Sequence, residues 1–449
     1  MNLHAMLLGR EADDNPVRVG LIGAGKFGSM YLSQARRTPG IHILGIADLS
    51  PARARAALAN VGWPAAQYGA ASYDEARRNG ATYISDDAEA LIREADVVID
   101  STGHPAAGIR HALQACEHGT HIVMVNVEAD VLAGPLLAER AKSAGIVYTM
   151  AYGDQPALIC ELVDWARACG FSVTCAGKGT KFLPSFHGST PDTVWDYYGL
   201  TAEQAAAGGM NPQMFNSFLD GTKSGIEMAA VANATGLSPP RDGLSFPPCG
   251  VHDLPHILRP RDDGGLLDGK GMVEVISSEE RDGRPVVGDL RWGVYVTFEA
   301  PSDYVARCFS EYGLLTDSTG RYSTMFKPYH LIGLELGISV ASAALRGEPT
   351  GVSRAWRGDA VATAKRDLAA GEVLDGEGGF TVWGRLMQAE DSLARGALPI
   401  GLAHGVKLKK AIAQGQTVCW QDVAYDEDDA TVVFRREMEM QNRRNAASK

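Results

Sequence analysis

The sequence predicts an α/β protein of three domains, and three observations lead to that prediction. The chain has 449 residues, too many for one hydrophobic core. Apolar strand-like runs alternate with helical segments over the first third, as in a doubly wound parallel sheet. The pattern changes near residue 354 to short β-like runs. We expect domains at 1–155, 156–353 and 354–435, with the last helix of the second packing back on the first.

Composition and charge indicate a soluble protein that works on small molecules. Apolar residues make up 45% and charged residues 21% of the chain. The formal net charge of −12 argues against nucleic acid or an anionic membrane as a partner. No apolar run approaches the roughly 20 residues that span a bilayer. The seven cysteines form no CxxC pair, so we expect reduced thiols in the cytoplasm. The N-terminal segment MNLHAMLLGREADD predicts an amphipathic helix rather than a signal peptide.

A glycine-rich turn follows the first buried strand. In VRVGLIGAGKFGSM, the glycines Gly23, Gly25 and Gly28 have the spacing GxGxxG, and Lys26 and Phe27 lie between the last two. The first glycine permits the tight turn, the second lets the backbone approach a pyrophosphate, and the third lets helix and strand pack closely. The first domain is therefore predicted to be a Rossmann domain that binds NAD(P).

An acidic residue ends the next strand, where the adenine ribose of a dinucleotide would lie. Asp48 follows the glycine turn at the distance at which a carboxylate binds the ribose hydroxyl groups. A carboxylate repels a 2′-phosphate, so Asp48 favours NAD over NADP. Arg53 and Arg55 follow closely and soften that preference.

Two later strands end in polar residues at the expected cofactor edge. The first ends at Thr102, Gly103 and Pro105, and the second ends at Asn126 and Glu128. Ligands of open parallel sheets lie beyond the carboxyl ends of the strands, so these residues are predicted to face the nicotinamide half. The alternative for Asn126 and Glu128 is a helix N-cap followed by a first-turn acid.

The stretch FLDGTKSGIEMAAVANATGL, residues 218–237, predicts a buried helix with charges on one side. Asp220, Lys223 and Glu227 are spaced i, i+3 and i+7, which places them along one stripe of that helix. The stripe is either a solvated ion-pair row or the lining of an active site.

A second lysine pair is predicted at a strand end. The strand FSVTCAGKGTKF is expected to break at Gly177 and Gly179, which would put Lys178 and Lys181 on a loop where they reach an anion or a carbonyl oxygen. The alternative is two solvated surface lysines. The following segment, residues 183–216, is rich in Pro, Gly and aromatic residues and is expected to be a long lid or substrate loop.

Further residues are candidates to bind the substrate. Basic and imidazole side chains suited to a phosphate or carboxylate, or to acid–base steps, are found at Lys181, His187, His256, Lys327 and His330. His252 and His256 flank Asp253 at a spacing that could serve a metal, but Pro255 weakens a helical ligand pair. We expect no tight metal site and leave open a weakly bound Mg²⁺ shared with substrate oxygens.

The last region contains an internal similarity. AKRDLAAGEVLD (364–375) and KKAIAQGQTVCWQDV (409–423) share a basic residue, an apolar residue, Ala, Gly and a β-like run. Such similarity predicts two related halves folded on each other. The polar tail RREMEMQNRRNAASK is expected to be frayed or only briefly helical.

Several of these motifs resemble known families. The first domain and the 220–237 helix resemble the homoserine dehydrogenase superfamily, and DLAAGEVLD with LPIGLAHGVKLKKAIAQGQTVCWQDV resembles SAF domains, the fold of type III antifreeze protein. Together with VNVEAD, AGKG and KPYHL, the chain resembles the deoxyxylulose phosphate reductoisomerase-like (DRL) proteins. The sequence departs from homoserine dehydrogenases at Val127, where they carry a lysine after the strand-end asparagine.

The resemblance implies an α+β catalytic domain, a C-terminal small β SAF domain and NADPH-dependent chemistry in a dimer or tetramer. In that superfamily the corresponding helix lines the substrate pocket. Lys178 and Lys223 are then candidates to protonate a developing alkoxide, with Asp220 and Glu227 as partners. Two alternatives stay open: a polyol or hydroxy-acid dehydrogenase without isomerisation, and a cofactor-binding regulatory protein without catalysis.

Overall fold

The computed structural model describes residues 2–447, and the chain divides into two compact units. The first unit is Met1–Leu158 with His330–Ser353, and the second is Ile159–Tyr329 with Arg354–Lys449. The predicted C-terminal domain and residues 159–329 of the predicted central domain lie together in the second unit, whereas residues 330–353 belong to the first. The division into three domains stays a prediction.

The first unit is built on a six-stranded parallel sheet of order β3-β2-β1-β4-β5-β6. This is the strand order of doubly wound dinucleotide-binding folds. The strands are β1 (Val17–Ile22), β2 (Ile41–Ala47), β3 (Tyr83–Ser85), β4 (Val97–Asp100), β5 (His121–Met124) and β6 (Tyr148–Met150). The helices are α1 (Leu3–Ala12), α2 (Lys26–Ala35), α3 (Pro51–Asn60), α4 (Tyr73–Asn79), α5 (Ala88–Glu94), α6 (Pro105–His118), α7 (Val127–Ala144) and, from the returning segment, α15 (Gly337–Arg346).

Two terminal helices of this unit pack against each other. The predicted N-terminal helix is confirmed as α1, whose buried Leu3 and Leu7 contact Ala341 of α15. In turn, Leu336 and Val340 belong to the core formed with the strands of the sheet. Residues 330–353 therefore complete the hydrophobic core of the first unit, although they are distant from it in sequence.

The second unit contains a four-stranded sheet of order β10-β9-β7-β8, in which only β7 and β8 are parallel. The strands are β7 (Ser172–Thr180), β8 (Met272–Ser277), β9 (Val294–Glu299) and β10 (Tyr322–Lys327). The helices are α9 (Val194–Tyr198), α10 (Ala202–Ala207), α11 (Pro212–Leu219), α12 (Thr222–Thr235), α13 (Leu254–Ile257), α14 (Asp303–Glu311), α16 (Ala389–Arg395) and α17 (Ala430–Ala447); α8 (Gln155–Ala168) crosses from the first unit. Short 3₁₀ helices lie at Ala65–Tyr68, Pro184–Gly188, Arg261–Asp263, Ile400–Leu402 and Trp420–Asp422.

Strand β7 continues through both glycines at which it was expected to break. A Cβ atom at Gly177 would lie 1.8 Å from the carbonyl oxygen of Glu274, and one at Gly179 would lie 1.9 Å from that of Leu290. The glycines therefore let neighbouring backbone approach the strand closely, rather than ending it. As a consequence, Lys178 lies within a strand and not on a loop.

The segment predicted as a long loop after this strand is largely helical. It contains the 3₁₀ helix Pro184–Gly188 and then α9, α10 and most of α11. Phe186, Val194 and Leu219 form a small apolar core of their own, against which the aromatic residues of the segment pack. The Pro and Gly residues divide these short helices, which is why the sequence resembled a loop.

The C-terminal region forms two small antiparallel sheets. One pairs β11 (Gly358–Ala364) with β13 (Val382–Gln388), and the other has the order β12-β14-β15, with β12 (Val373–Asp375), β14 (His404–Leu408) and β15 (Val423–Ala424). The two similar sequence segments meet at their equivalent apolar residues: Leu368 and Ile412 exchange both backbone hydrogen bonds, at 2.8 and 3.0 Å. The predicted pairing of the two halves is thus confirmed, and the SAF assignment stays a prediction.

The expectation for the polar tail was wrong. Residues 430–447 form helix α17, and Arg435 within it has no exposed side-chain surface. Its guanidinium group bonds to Asp359 at 2.6 Å and to Glu439 at 3.0 Å, and it lies over the Trp356 ring at 4.6 Å. A buried cation with carboxylate and aromatic partners therefore holds helix α17 to strand β11. The polar sequence of the tail alone does not indicate this packing.

None of the helices within residues 2–447 combines the length and the hydropathy that a membrane crossing requires.

Candidate active site

The glycine turn of the first unit has the geometry of a dinucleotide cradle. Gly23 ends β1 with φ of +93°, a conformation that favours glycine. A Cβ atom at Gly25 would meet nothing within 4 Å, so the backbone there is open to a ligand. One at Gly28 would lie 2.7 Å from the Gly23 carbonyl oxygen, so glycine permits the close packing of α2. Lys26 is exposed at the start of that helix, and Phe27 packs on the core.

Asp48 lies at the end of β2 and is buried against this turn. Its carboxylate accepts hydrogen bonds from the Ala24 amide at 2.8 Å and the Ser50 amide at 2.8 Å, and it pairs with Arg53 at 2.7 Å. Burial opposes ionisation, but the two amides and Arg53 outweigh it and lower the pKa of the Asp48 carboxyl. An ionised acid with an arginine beside it therefore lies next to the glycine turn.

The strand-end candidates gather at the same edge of the sheet. The Asn126 side chain caps α7 by accepting from the Ala129 amide at 3.1 Å, and it donates to the His104 carbonyl oxygen at 2.9 Å and to Thr102 Oγ1 at 3.2 Å. The N-cap interpretation of Asn126 is thus confirmed. Gly103 has φ of +66°, Pro105 begins α6, and Glu128 is half-buried in the first turn of α7.

A buried pair beneath this edge was not predicted from the sequence. Asp100 accepts from Thr102 Oγ1 at 2.7 Å and contacts His111 Nδ1 at 2.6 Å. His111 is buried on α6. These contacts fix the Thr102 side chain. They could not be predicted, because a single histidine in a helical segment does not indicate its partner.

In the second unit, Lys178 and Glu227 form a buried ion pair. The Lys178 ammonium group, on β7, donates to the Glu227 carboxylate on α12, and the two residues are 6% and 4% exposed. Removing two charges from water is costly, so such a pair is kept where its partners satisfy each other or where it serves function. Lys223 lies one turn before Glu227 on the same side of the helix and is half-buried.

Asp220 does not share this arrangement. The helix predicted for residues 218–237 is interrupted by Gly221, at φ of +90°, so Asp220 follows α11 and precedes α12. Its carboxylate accepts from the Thr222 amide and pairs with Lys365 at 2.7 Å. The prediction that three charges form a single stripe was therefore wrong. Glu227 pairs with Lys178, whereas Asp220 pairs with Lys365.

Lys365 is a residue that sequence reasoning missed. It lies just after β11 and also donates to the carbonyl oxygens of Ser189, at 2.8 Å, and Gly379, at 2.7 Å. Its side chain is 2% exposed. Because its partners come from three distant parts of the sequence, no local pattern could have indicated this role.

The five residues predicted to bind substrate have different local surroundings. Lys181 lies 3.6 Å from Glu279, whereas the His187 ring is partly buried and donates from Nδ1 to the Asp220 carbonyl oxygen at 2.7 Å. His256 is exposed on α13, and Lys327 ends β10. His330 belongs to the first unit. Among residues 2–447, no three His, Cys, Asp or Glu side chains are grouped so as to hold a metal ion.

Two family models match the chain. Residues 17–125 match the model described as "Oxidoreductase family, NAD-binding Rossmann fold", and residues 153–336 match "Oxidoreductase DRL, catalytic domain". Both models describe oxidoreductases, and the first describes an NAD-binding Rossmann fold. The first match covers the glycine turn, Asp48 and the end of β4, and the second covers Lys178, Lys223 and Glu227.

Solved structures give more distant likenesses to this chain. A homoserine dehydrogenase from Thiobacillus denitrificans is 15% identical over 74% of each chain, with a TM-score of 0.43. An NAD-binding oxidoreductase from Klebsiella pneumoniae is 19% identical over 37% of this chain and 43% of its own, with a TM-score of 0.27. The match thus spans less than half the length of the latter protein. A comparison with curated proteins finds no match.

Proposed function

We propose that this protein is an NAD(P)H-dependent reductase of a carbonyl group in a small polyhydroxylated substrate that carries a phosphate or carboxylate. The observation that carries the proposal is the buried Lys178–Glu227 pair, which lies inside the segment that matches an oxidoreductase catalytic domain. The match of residues 17–125 to an NAD-binding Rossmann fold supports the use of a nicotinamide cofactor.

The residues of the first unit fit a dinucleotide. The open backbone at Gly25 and the start of α2, which no side chain caps, would receive the pyrophosphate. Asp48 would bind the adenine ribose, while Arg53 offers a positive charge beside it. Thr102, Gly103, Pro105, Asn126 and Glu128 line the edge expected for the nicotinamide. When bound, the cofactor supplies the hydride.

The proton step is assigned to a lysine of the second unit. The carbonyl carbon gains a hydride, and its oxygen gains a proton from Lys178 or from Lys223, so the carbonyl becomes an alcohol. A lysine held in place by a carboxylate partner can donate a proton to the developing alkoxide. Glu227 holds the Lys178 ammonium group in position, and Asp220 orders the start of α12 through its bond to the Thr222 amide.

The substrate class follows from the basic candidates and the resemblance to DRL proteins. Lys181, His187, Lys327, His256 and His330 are proposed to hold phosphate, carboxylate or hydroxyl groups, and a weakly bound Mg²⁺ would share substrate oxygens. On the basis of that resemblance, we propose that the carbon skeleton is rearranged before reduction. We also propose that residues 354–435 form an SAF-like domain. We further propose a cytoplasmic dimer or tetramer, which sedimentation would test.

The test is a panel of ketose phosphates, 2-keto acids and uncharged ketoses, scanned for loss of NADH or NADPH absorbance. The proposal predicts turnover of an anionic polyhydroxylated carbonyl and a loss of rate of at least about 100-fold in Lys178→Ala or Lys223→Ala. Product analysis separates the chemistries, because an unchanged skeleton means simple dehydrogenase activity. Cofactor binding without turnover of any compound would support a regulatory protein and overturn the proposal.

A further inference from the structure

A cavity in the second unit lies where the C-terminal β strands meet the rest of that unit. Its volume is about 180 Å³, the space of about six water molecules at roughly 30 Å³ each. It is lined by both polar and aromatic side chains, among them His187, Asp242, Phe246, Trp383 and Arg385. Neither the family matches nor the proposed proton step accounts for it.

The wall formed by residues 242–246 is held in an unusual conformation. Phe246 has φ of +48°, a value that non-glycine residues seldom adopt, and Gly243 has φ of +82°. The buried carboxylate of Glu274 fixes this turn by accepting from the Ser245 amide and from Ser245 Oγ at 2.6 Å. Strained backbone that is fixed by its surroundings is characteristic of ligand sites.

Strand β13 presents a cation to the cavity. The Arg385 guanidinium group donates to the Asp242 carbonyl oxygen at 2.5 Å. Within residues 2–447, no carboxylate lies within ion-pair distance of it. A Cβ atom at Gly243 would lie 3.1 Å from Arg385 Nε, so glycine makes room for the guanidinium group. Asp242 also lines the cavity, but its exposed carboxylate forms no ion pair with Arg385. In a protein of net charge −12, an arginine whose charge no carboxylate neutralises is suited to an anion.

His187 supplies a hydrogen-bond acceptor. Because the Asp220 carbonyl oxygen can only accept, Nδ1 carries the proton of that bond. Burial lowers the pKa of the imidazole, so the ring is neutral at pH 7 and Nε2 keeps a lone pair. The ring stacks on Trp383 at 3.9 Å, which fixes its orientation.

We propose that this cavity binds a small hydroxylated anion, with Arg385 paired to its anionic group and His187 Nε2 accepting from its hydroxyl group. Trp383 and Phe246 enclose the carbon chain. The inference rests on the proposed function and deepens it, because His187 is one of the residues proposed there to hold the substrate. Binding here needs neither cofactor nor turnover, so its failure can be distinguished from a failure of the proposed reduction.

The experiment titrates the full-length protein with D-glycerate and follows tryptophan fluorescence. Propionate, which lacks the hydroxyl groups, and glycerol, which lacks the charge, are the matched probes. The proposal predicts saturable quenching by glycerate and at least tenfold weaker binding of the other two. Trp383→Phe identifies the origin of the signal among the seven tryptophans.

Variants separate the two contacts. Arg385→Leu should weaken glycerate binding at least tenfold, whereas Arg395→Leu, the same change at an exposed arginine of the same region, should not. His187→Phe keeps the stacking on Trp383 and should reduce glycerate to the affinity of propionate. Equal binding by wild type and Arg385→Leu, equal binding of glycerol and glycerate, or no saturable signal in the wild type would overturn the proposal. If Arg385→Leu does not fold, the probe comparison and His187→Phe decide.

Discussion

Lys178 and Glu227 share a buried hydrogen-bonded ion pair between strand β7 and helix α12. The arrangement requires that Gly177 and Gly179 lie flat against neighbouring carbonyl groups, so that Lys178 is held in the strand interior. Such a pair either stabilises the fold or holds a lysine ready for proton transfer. The two roles give different results when the pair is removed.

Removal of one partner should destabilise the protein, and removal of both should not restore activity. Lys178→Met leaves a buried carboxylate without its cation, so the free energy of unfolding should fall by about 3 to 5 kcal/mol, measured by urea denaturation. Lys178→Met combined with Glu227→Leu should recover most of that loss because both buried charges are gone. A double variant that regains both stability and rate would assign the pair a structural role alone.

Arg53 should influence the choice between NADH and NADPH. Its guanidinium group pairs with Asp48 and is 60% exposed, so it can donate to a 2′-phosphate. Arg53→Ala should raise the Kd for NADPH about tenfold or more, the loss of one charge-assisted hydrogen bond, while the Kd for NADH changes much less. Arg78→Ala, at an exposed site on helix α4, is the control. Equal effects on both cofactors would contradict this role.

Asp130 should make the stability of the fold fall with rising pH. Burial raises its pKa to about 6, although Tyr148 and Ser353 donate to it. The folded state therefore holds a proton that the unfolded chain releases above its ordinary pKa of 3.8. The stability that this proton uptake contributes is fully present below pH 3.8 and is lost as the pH rises through about 6. The total loss is about 3 kcal/mol of unfolding free energy.

Urea denaturation of wild type and Asp130→Asn between pH 4 and 7.5 measures this contribution. The difference between their unfolding free energies should change over the window from 3.8 to 6 and stay constant above it. The exposed Asp164→Asn variant controls for the background titration. A pH-independent difference between wild type and Asp130→Asn would contradict the account.

Much of the first unit was predictable, because its signals are local. The GxGxxG turn, the acid at the end of β2 and the alternation of strands and helices each lie within a short segment, and their structural meaning is set by backbone geometry. The contacts of Lys365 and Arg435 could not be found in this way. Their partners, Asp220 and Asp359, are distant in sequence, and only the packed fold makes them neighbours.

Arg435 should be essential for the packing of the C-terminal helix. Arg435→Met leaves Asp359 buried without its cation and should lower the free energy of unfolding by about 3 to 5 kcal/mol. Arg444→Met, the same change at an exposed position of the helix, should have little effect. Hydrogen exchange of residues 430–447 should rise in Arg435→Met; unchanged exchange and stability would show that the buried pair does not hold the helix.

The most direct test of the central claim follows deuterium from C4 of NAD(P)H into product, using the substrate that the carbonyl panel identifies. Wild type should transfer one deuterium to the former carbonyl carbon, and the folded Lys178→Met/Glu227→Leu variant should transfer at least about 100-fold more slowly. Absence of transfer to any carbonyl compound, or equal transfer by the double variant, would contradict it.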